Sequence, residues 1–86
     1  MADYEIVFAR SARKELENLE DRLVIRILNR IDKLGAESRP GGVRKLRSST
    51  NLWRLRVGDY RVVYSVDDDR RLIDVVAVRH RSDAYR

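Results

Sequence analysis

Beyond a first strand-like stretch, the apolar residues along this chain change from helical to strand-like spacing near residue 42. Residues 4–9 are rich in β-branched and aromatic side chains and predict a first strand. Over residues 11–19, Ala12, Leu16 and Leu19 recur at helical steps, with Ser11 as the expected N-cap. Over residues 21–34 the apolar set is Leu23, Val24, Ile27, Leu28, Ile31 and Leu34, with Arg22, Arg26, Arg30 and Asp32 on the other side, so a second amphipathic helix is expected. Gly35 is its expected C-cap. The short connection makes the two helices an antiparallel hairpin. The Pro/Gly cluster of 37–42 reads as a loop, and beyond it the pattern is strand-like: 43–47, 52–57, 60–66 and 72–79, with turns at 48–51, Gly58-Asp59 and 67–69. The order β-α-α-β-β-β-β predicts an α+β fold, a two-helix hairpin packed on one face of a mainly antiparallel sheet. Neither half could bury a core alone, so residues 1–86 are expected to form a single domain. The other sheet face is left open, and function is to be sought there.

Alternation places Trp53, Leu55 and Val57 on one side of the 52–57 strand, and Arg54 and Arg56 on the other. The apolar set takes the helix side. A two-residue turn at Gly58-Asp59 pairs Val57 with Tyr60 and Arg56 with Arg61. Arg54, Arg56 and Arg61 then share the open face, although like charges opposite each other destabilise a sheet by a few tenths to about 1 kcal/mol. Spacing alone leaves two interpretations: a phosphate site with bidentate donors, or a charged face that keeps an exposed sheet soluble. Trp53, Tyr60 and Tyr64 fall on the apolar parity and are expected in the core. The Arg22, Arg26, Arg30 series reads as a solvated helix face.

The end of the chain adds Arg79, His80, Arg81 and Tyr85 within seven residues. Cations beside an aromatic ring suit a single-stranded RNA base and its phosphates, and a frayed basic tail is the alternative. Whether Arg79 shares the face of Arg61 depends on the turn before the last strand, because a shift of one residue exchanges the faces.

Composition narrows the partners. The net charge is +5, from 19 Lys+Arg against 14 Asp+Glu, which favours an acidic partner such as nucleic acid. No apolar run approaches the roughly 20 residues of a membrane span, and no signal-peptide pattern opens the chain, so a cytoplasmic protein is expected. Without cysteine there is no thiolate chemistry, and the single histidine, His80, argues against a protein-held zinc ion or other metal site. No cofactor is expected.

The segments Lys45-Leu46-Arg47, Trp53-Arg54-Leu55-Arg56, Gly58-Asp59-Tyr60-Arg61-Val62-Val63-Tyr64 and Arg79-His80-Arg81-Ser82-Asp83-Ala84-Tyr85 together resemble the RelE branch of the RelE/ParE toxin superfamily. The resemblance spans essentially the whole chain and implies a RelE-like microbial RNase fold. It also implies the toxin of a type II toxin–antitoxin system, a ribosome-dependent, metal-independent endoribonuclease. In that chemistry the RNA 2′-hydroxyl attacks the adjacent phosphate and expels the 5′-oxygen, leaving a 2′,3′-cyclic phosphate. The implied partners are a cognate antitoxin protein and the 70S ribosome carrying mRNA. By position, Arg54 and Arg56 match basic strand residues that meet the RNA backbone, with Lys45, Arg47 and Arg81 as further RNA contacts. Arg61 matches the transition-state arginine, Arg79 the cation near the leaving group, and Tyr85 the ring that stacks on a base. Relatives often carry lysines where this chain has Arg54 and Arg56. Because arginine is a very poor base near neutrality, either charge stabilisation dominates or His80 transfers the proton. Three rival functions are a ParE-type inhibitor of DNA gyrase, a non-catalytic RNA-binding module, and a degenerate toxin.

Overall fold

Strand β1 (Glu5–Phe8) lies beside the first half of the last strand, β5 (Leu72–His80), so the first and last strands are neighbours in one sheet. The computed structural model describes residues 3–41, 43–46 and 51–82. After β1 come helices α1 (Arg10–Glu17) and α2 (Asp21–Lys33), then β2 (Arg44–Lys45), β3 (Leu52–Val57) and β4 (Tyr60–Asp67). The five strands run in the order β1-β5-β4-β3-β2. The β1–β5 pair is parallel and the others are antiparallel. The helix hairpin therefore carries the chain from one edge of the sheet to the other over a single face.

That face is the core. Ala12 and Leu16 from α1, and Ile27 and Ile31 from α2 with Leu34 just beyond it, pack on Leu55, Val57, Val62, Tyr64, Val66, Ile73, Val75 and Val78. Each fully buried valine, leucine or isoleucine here stabilises the fold by roughly 1.5–3 kcal/mol. Tyr64 is fully buried yet keeps its polar end satisfied, its hydroxyl donating to the Ser38 carbonyl at 2.8 Å. Trp53 and Tyr60 pack against the same cluster, as their parity predicts.

Local details differ from the sequence expectations in four places. Ala9, not Ser11, occupies the N-cap of α1, and the Ser11 hydroxyl donates instead to the Val76 carbonyl of β5 at 2.8 Å. Leu34 is the C-cap of α2. Gly35 follows it for a steric reason: a Cβ there would stand 3.2 Å from the Tyr4 carbonyl oxygen. Leu28 is exposed rather than part of the buried stripe, since β1 and α2 leave a shallow groove beside it. The expected strand over 43–47 is regular only at Arg44–Lys45, and Arg47 lies outside the described residues.

The β4–β5 ladder contains one irregularity. Val63 faces Ala77, but Tyr64 faces Val75, so Val76 is an extra residue in β5. A bulge of this kind exchanges the faces of everything beyond it. The core residues of β5 accordingly step from Ile73 and Val75 to Val78. Arg79, next to Val78, turns to the open face.

Candidate functional site

The hairpin that builds the site forms as the sequence predicts. Gly58 has φ +60 at the first turn position, and it is the only described glycine in the left-handed region. This is the pattern of a two-residue II′ turn, whose twist matches the flanking strands. Val57 thereby faces Tyr60, and Arg56 faces Arg61. On the next strand Arg61 faces Arg79. Arg56, Arg61 and Arg79 form a row of three guanidinium side chains across three adjacent strands, all on the face away from the helices.

A second row lies two residues along. Arg44 faces Arg54, which faces Val63, which faces Ala77. Between the rows is a small pocket of about 180 Å³ lined by Leu46, Arg54, Arg61, Val63, Ala77 and Arg79. Arg61 is only 6% exposed, the most buried charged residue of the described chain. The pocket lining contains no carboxylate, imidazole or thiolate, so its chemistry is that of guanidinium groups over an apolar floor. Such a lining attracts an anion of phosphate size and stabilises negative charge developing on it.

At the rim, Arg79 pairs through Nε with Glu15 Oε2 at 3.2 Å. The other oxygen of Glu15 accepts from the Val78 backbone N–H at 2.8 Å. Strand β1 ends at Phe8, and Ala9 N–H makes the last contact of that segment with β5, on the Val75 carbonyl. Beyond that point Ser11 and Glu15, one helical turn apart on α1, take over the edge of β5.

The remaining expected site residues are distributed differently. Lys45 faces Trp53 on the helix side, its Nζ 6.0 Å from the ring centroid, so the β2 cation on the arginine face is Arg44. His80 faces Tyr60, also on the helix side, with ring centroids 5.2 Å apart, edge to face. Its Nδ1 meets the Ser82 hydroxyl at 2.9 Å. Alternation past the bulge thus separates His80 from Arg61. Arg81 is exposed just after β5, its backbone N–H on the Asp59 carbonyl at 2.7 Å. Tyr85 and Arg47 lie outside the described residues. Sequence reasoning missed Arg44, Leu46, Ser11 and Glu15. The first two were recoverable from pairing β2 to β3 in the right register, whereas nothing local signals the last two.

Hairpin, sheet and arginine rows together define a protein of the RelE/ParE class, small basic α+β toxins. The chain belongs to this superfamily: residues 6–85 match the family described as the ParE toxin of type II toxin–antitoxin systems, parDE. It is 29% identical over 84 residues to toxin RelG of Mycobacterium tuberculosis, covering 96% of this chain and 97% of the relative. The archaeal RelE–RelB complex of Pyrococcus horikoshii contains a chain that superposes with a TM-score of 0.81 at 31% identity, covering 92% of this chain and 96% of that one. The isolated Escherichia coli RelE toxin shares the fold, with a TM-score of 0.79 at 24% identity over 95% of this chain and 90% of that one.

Proposed function

We propose that this type II toxin is an endoribonuclease that cuts mRNA on the ribosome, with the arginine face as its active surface. The observation that carries this is the Arg56–Arg61–Arg79 row, with Arg61 buried beside a pocket free of carboxylates. Opposed like charges destabilise the sheet. A phosphate bound across the row adds negative charge beside these guanidinium groups, and a phosphorane carrying two negative charges adds more. The cluster therefore favours the transition state over the substrate, which is the condition for raising a rate.

In this mechanism the RNA 2′-hydroxyl attacks the adjacent phosphorus and gives up its proton to solvent water. The bond from phosphorus to the 5′-oxygen breaks, and that oxygen takes a proton from water and leaves as a hydroxyl, so that a 2′,3′-cyclic phosphate remains. Arg61 sits at the centre of the row and contacts the non-bridging oxygens. Arg79 stabilises the leaving oxygen, Arg54 and Arg56 hold the backbone, and Arg44 extends the track. Tyr85 is assigned the stacking of a base on the resemblance described above. With arginines at these positions and His80 on the other face, charge stabilisation rather than a protein general base carries the reaction.

The partners in this proposal are an antitoxin and the translating ribosome, in the cytoplasm. The occurrence of RelE–RelB complexes among the similar structures supports the antitoxin. Among the described residues, no helix is long and apolar enough to cross a membrane. A second function, gyrase inhibition, is favoured only by the ParE name of the matching family.

Primer extension on mRNA in a reconstituted translation system, with and without ribosomes, tests the proposal. Ribosome-dependent cuts at fixed codon positions, ending in a cyclic phosphate, are expected. Intact mRNA in the presence of folded protein, with loss of DNA supercoiling by gyrase, would decide for the rival.

A further inference from the structure

Beyond the residues that face the RNA, we infer that Glu15, with Ser11, is a positioning residue for Arg79. The two side chains hold the bulged end of β5 in the register that delivers this arginine to the open face. The functional half of this inference rests on the cleavage function proposed above.

The argument begins with an edge. Past Val75, β5 has no β1 residue beside it, so the Val76 carbonyl and the Val78 N–H face outward from the sheet. A strand end that contains a bulge and has a neighbour on one side only, here β4, is less firmly fixed in register. A slip of one residue would return Arg79 to the helix side and bring Val78 out of the core. The Ser11 hydroxyl takes the Val76 carbonyl, and Glu15 Oε1 takes the Val78 N–H, both at 2.8 Å. Two side chains of one helix face thus replace the missing ladder on either side of Ala77.

Glu15 also acts on charge. Its Oε2 lies 3.2 Å from Arg79 Nε, so a carboxylate offsets the repulsion between Arg79 and Arg61. It does so from the helix side of the edge, outside the pocket lining, where it does not compete with a bound phosphate. A planar guanidinium held through Nε is also fixed in orientation. Supporting residues of this kind typically change activity by roughly ten- to a hundredfold when removed.

The test combines NMR of the 15N-labelled protein with single-turnover cleavage of ribosome-bound mRNA. Glu15→Gln retains an oxygen for the Val78 N–H and removes the charge facing Arg79. Slow solvent exchange of Arg79 Hε is expected in the wild type and should be lost in Glu15→Gln, while the Val78 amide stays protected. The maximal cleavage rate should fall roughly ten- to a hundredfold with the half-saturating ribosome concentration unchanged. Glu15→Gln combined with Arg79→Ala should cleave no more slowly than Arg79→Ala alone. Ser11→Ala should weaken Val78 amide protection. Unchanged Arg79 Hε exchange in Glu15→Gln, or losses that multiply in the double variant, would overturn the inference. A wild-type protein that leaves mRNA intact would instead sink the cleavage function, and Arg79 Hε exchange would still decide whether Glu15 holds Arg79.

Discussion

Arg61 and Arg79 face each other across β4 and β5 because of one extra residue, Val76, in β5. Without it the strand would keep Ile73, Val75, Ala77 and Arg79 on one side, and the arginine would point into the helix layer. The same step seats Val78 in the core. One irregularity therefore serves packing on one face of the sheet and charge on the other. Two opposed arginines are a poor choice for stability and a good one for binding an anion.

Arg61 is the sharpest test of the site. Replacing it with alanine should lower the maximal cleavage rate by at least about 10²–10³-fold, the scale for removing one donor aimed at transition-state charge. The fold should survive, because the change relieves repulsion from Arg56 and Arg79 worth up to about 1 kcal/mol at each contact. Primer extension and thermal unfolding on the same preparation give both numbers. Wild-type cleavage by Arg61→Ala would remove the arginine row from the mechanism.

The placement of Arg44 and Lys45 on opposite faces gives a second test, by salt titration. Each phosphate contact to a single strand contributes about −0.7 to the slope of log K against log salt. Arg44→Ala and Arg54→Ala should each flatten the slope for a short single-stranded RNA by about 0.7. Lys45→Ala, at the Trp53 ring, should change it by less than half as much. Fluorescence anisotropy at several salt concentrations measures this. Equal effects at 44 and 45 would mean that RNA does not track the open face.

The contrast between these positions shows which parts of the site could be read from the sequence. Arg54, Arg56 and Arg61 were legible because a long alternating strand and a two-residue turn fix parity and register locally. Arg79 was not, since its face depends on a bulge stabilised by α1 side chains more than 60 positions away in the chain. Ser11 looked like a helix cap for the same reason: its hydroxyl finds a partner that no local pattern indicates. Strand β2 has only two regular residues, too few to show parity, so nothing local indicated that Arg44, rather than Lys45, pairs with Arg54 on the open face. His80 inherits its side from the same bulge.

Gly58 tests the turn that sets the register. At φ +60 an L side chain is strained, so Gly58→Ala should lower stability by roughly 1–2 kcal/mol. The cost is in the backbone, because an added Cβ would lie 3.6 Å from the Arg26 guanidinium, an ordinary contact. Arg26→Ala should therefore cost less than about 0.5 kcal/mol and leave cleavage unchanged. Urea unfolding of the two variants compares them directly. A larger loss at Arg26 would mean that the arginine, not the glycine, holds the turn.

Asp68 ties three segments together at the far end of the sheet. Arg39 meets it at 2.9 Å, and the Tyr4 hydroxyl donates to its other oxygen. These contacts, that of Arg39 foremost, hold its carboxyl below the usual carboxylate range. A lowered pKa means that the stabilisation is present above the ordinary range and is lost as pH falls through the folded value. Asp68→Asn should therefore lower the melting temperature at neutral pH and flatten the acid limb of the stability profile. An acid limb as steep as that of the wild type would show that this carboxylate does not carry the dependence.

Tyr64 governs the opposite limb. Burial pushes its hydroxyl up to about 12 from an ordinary value of 10.0, with the charge of Arg39 acting the other way. A raised pKa reverses the sign: the folded state holds the proton more tightly, so stability is full below the unfolded value and falls from about pH 10 towards 12. Tyr64→Phe removes the titrating group and leaves the Ser38 carbonyl without its hydroxyl donor. It should cost about 1 kcal/mol at neutral pH and flatten the decline above pH 10. Chemical denaturation at about pH 7, 10 and 11.5 separates the two effects. If Tyr64→Phe and the wild type lost stability in parallel above pH 10, another group would have to be the one that titrates.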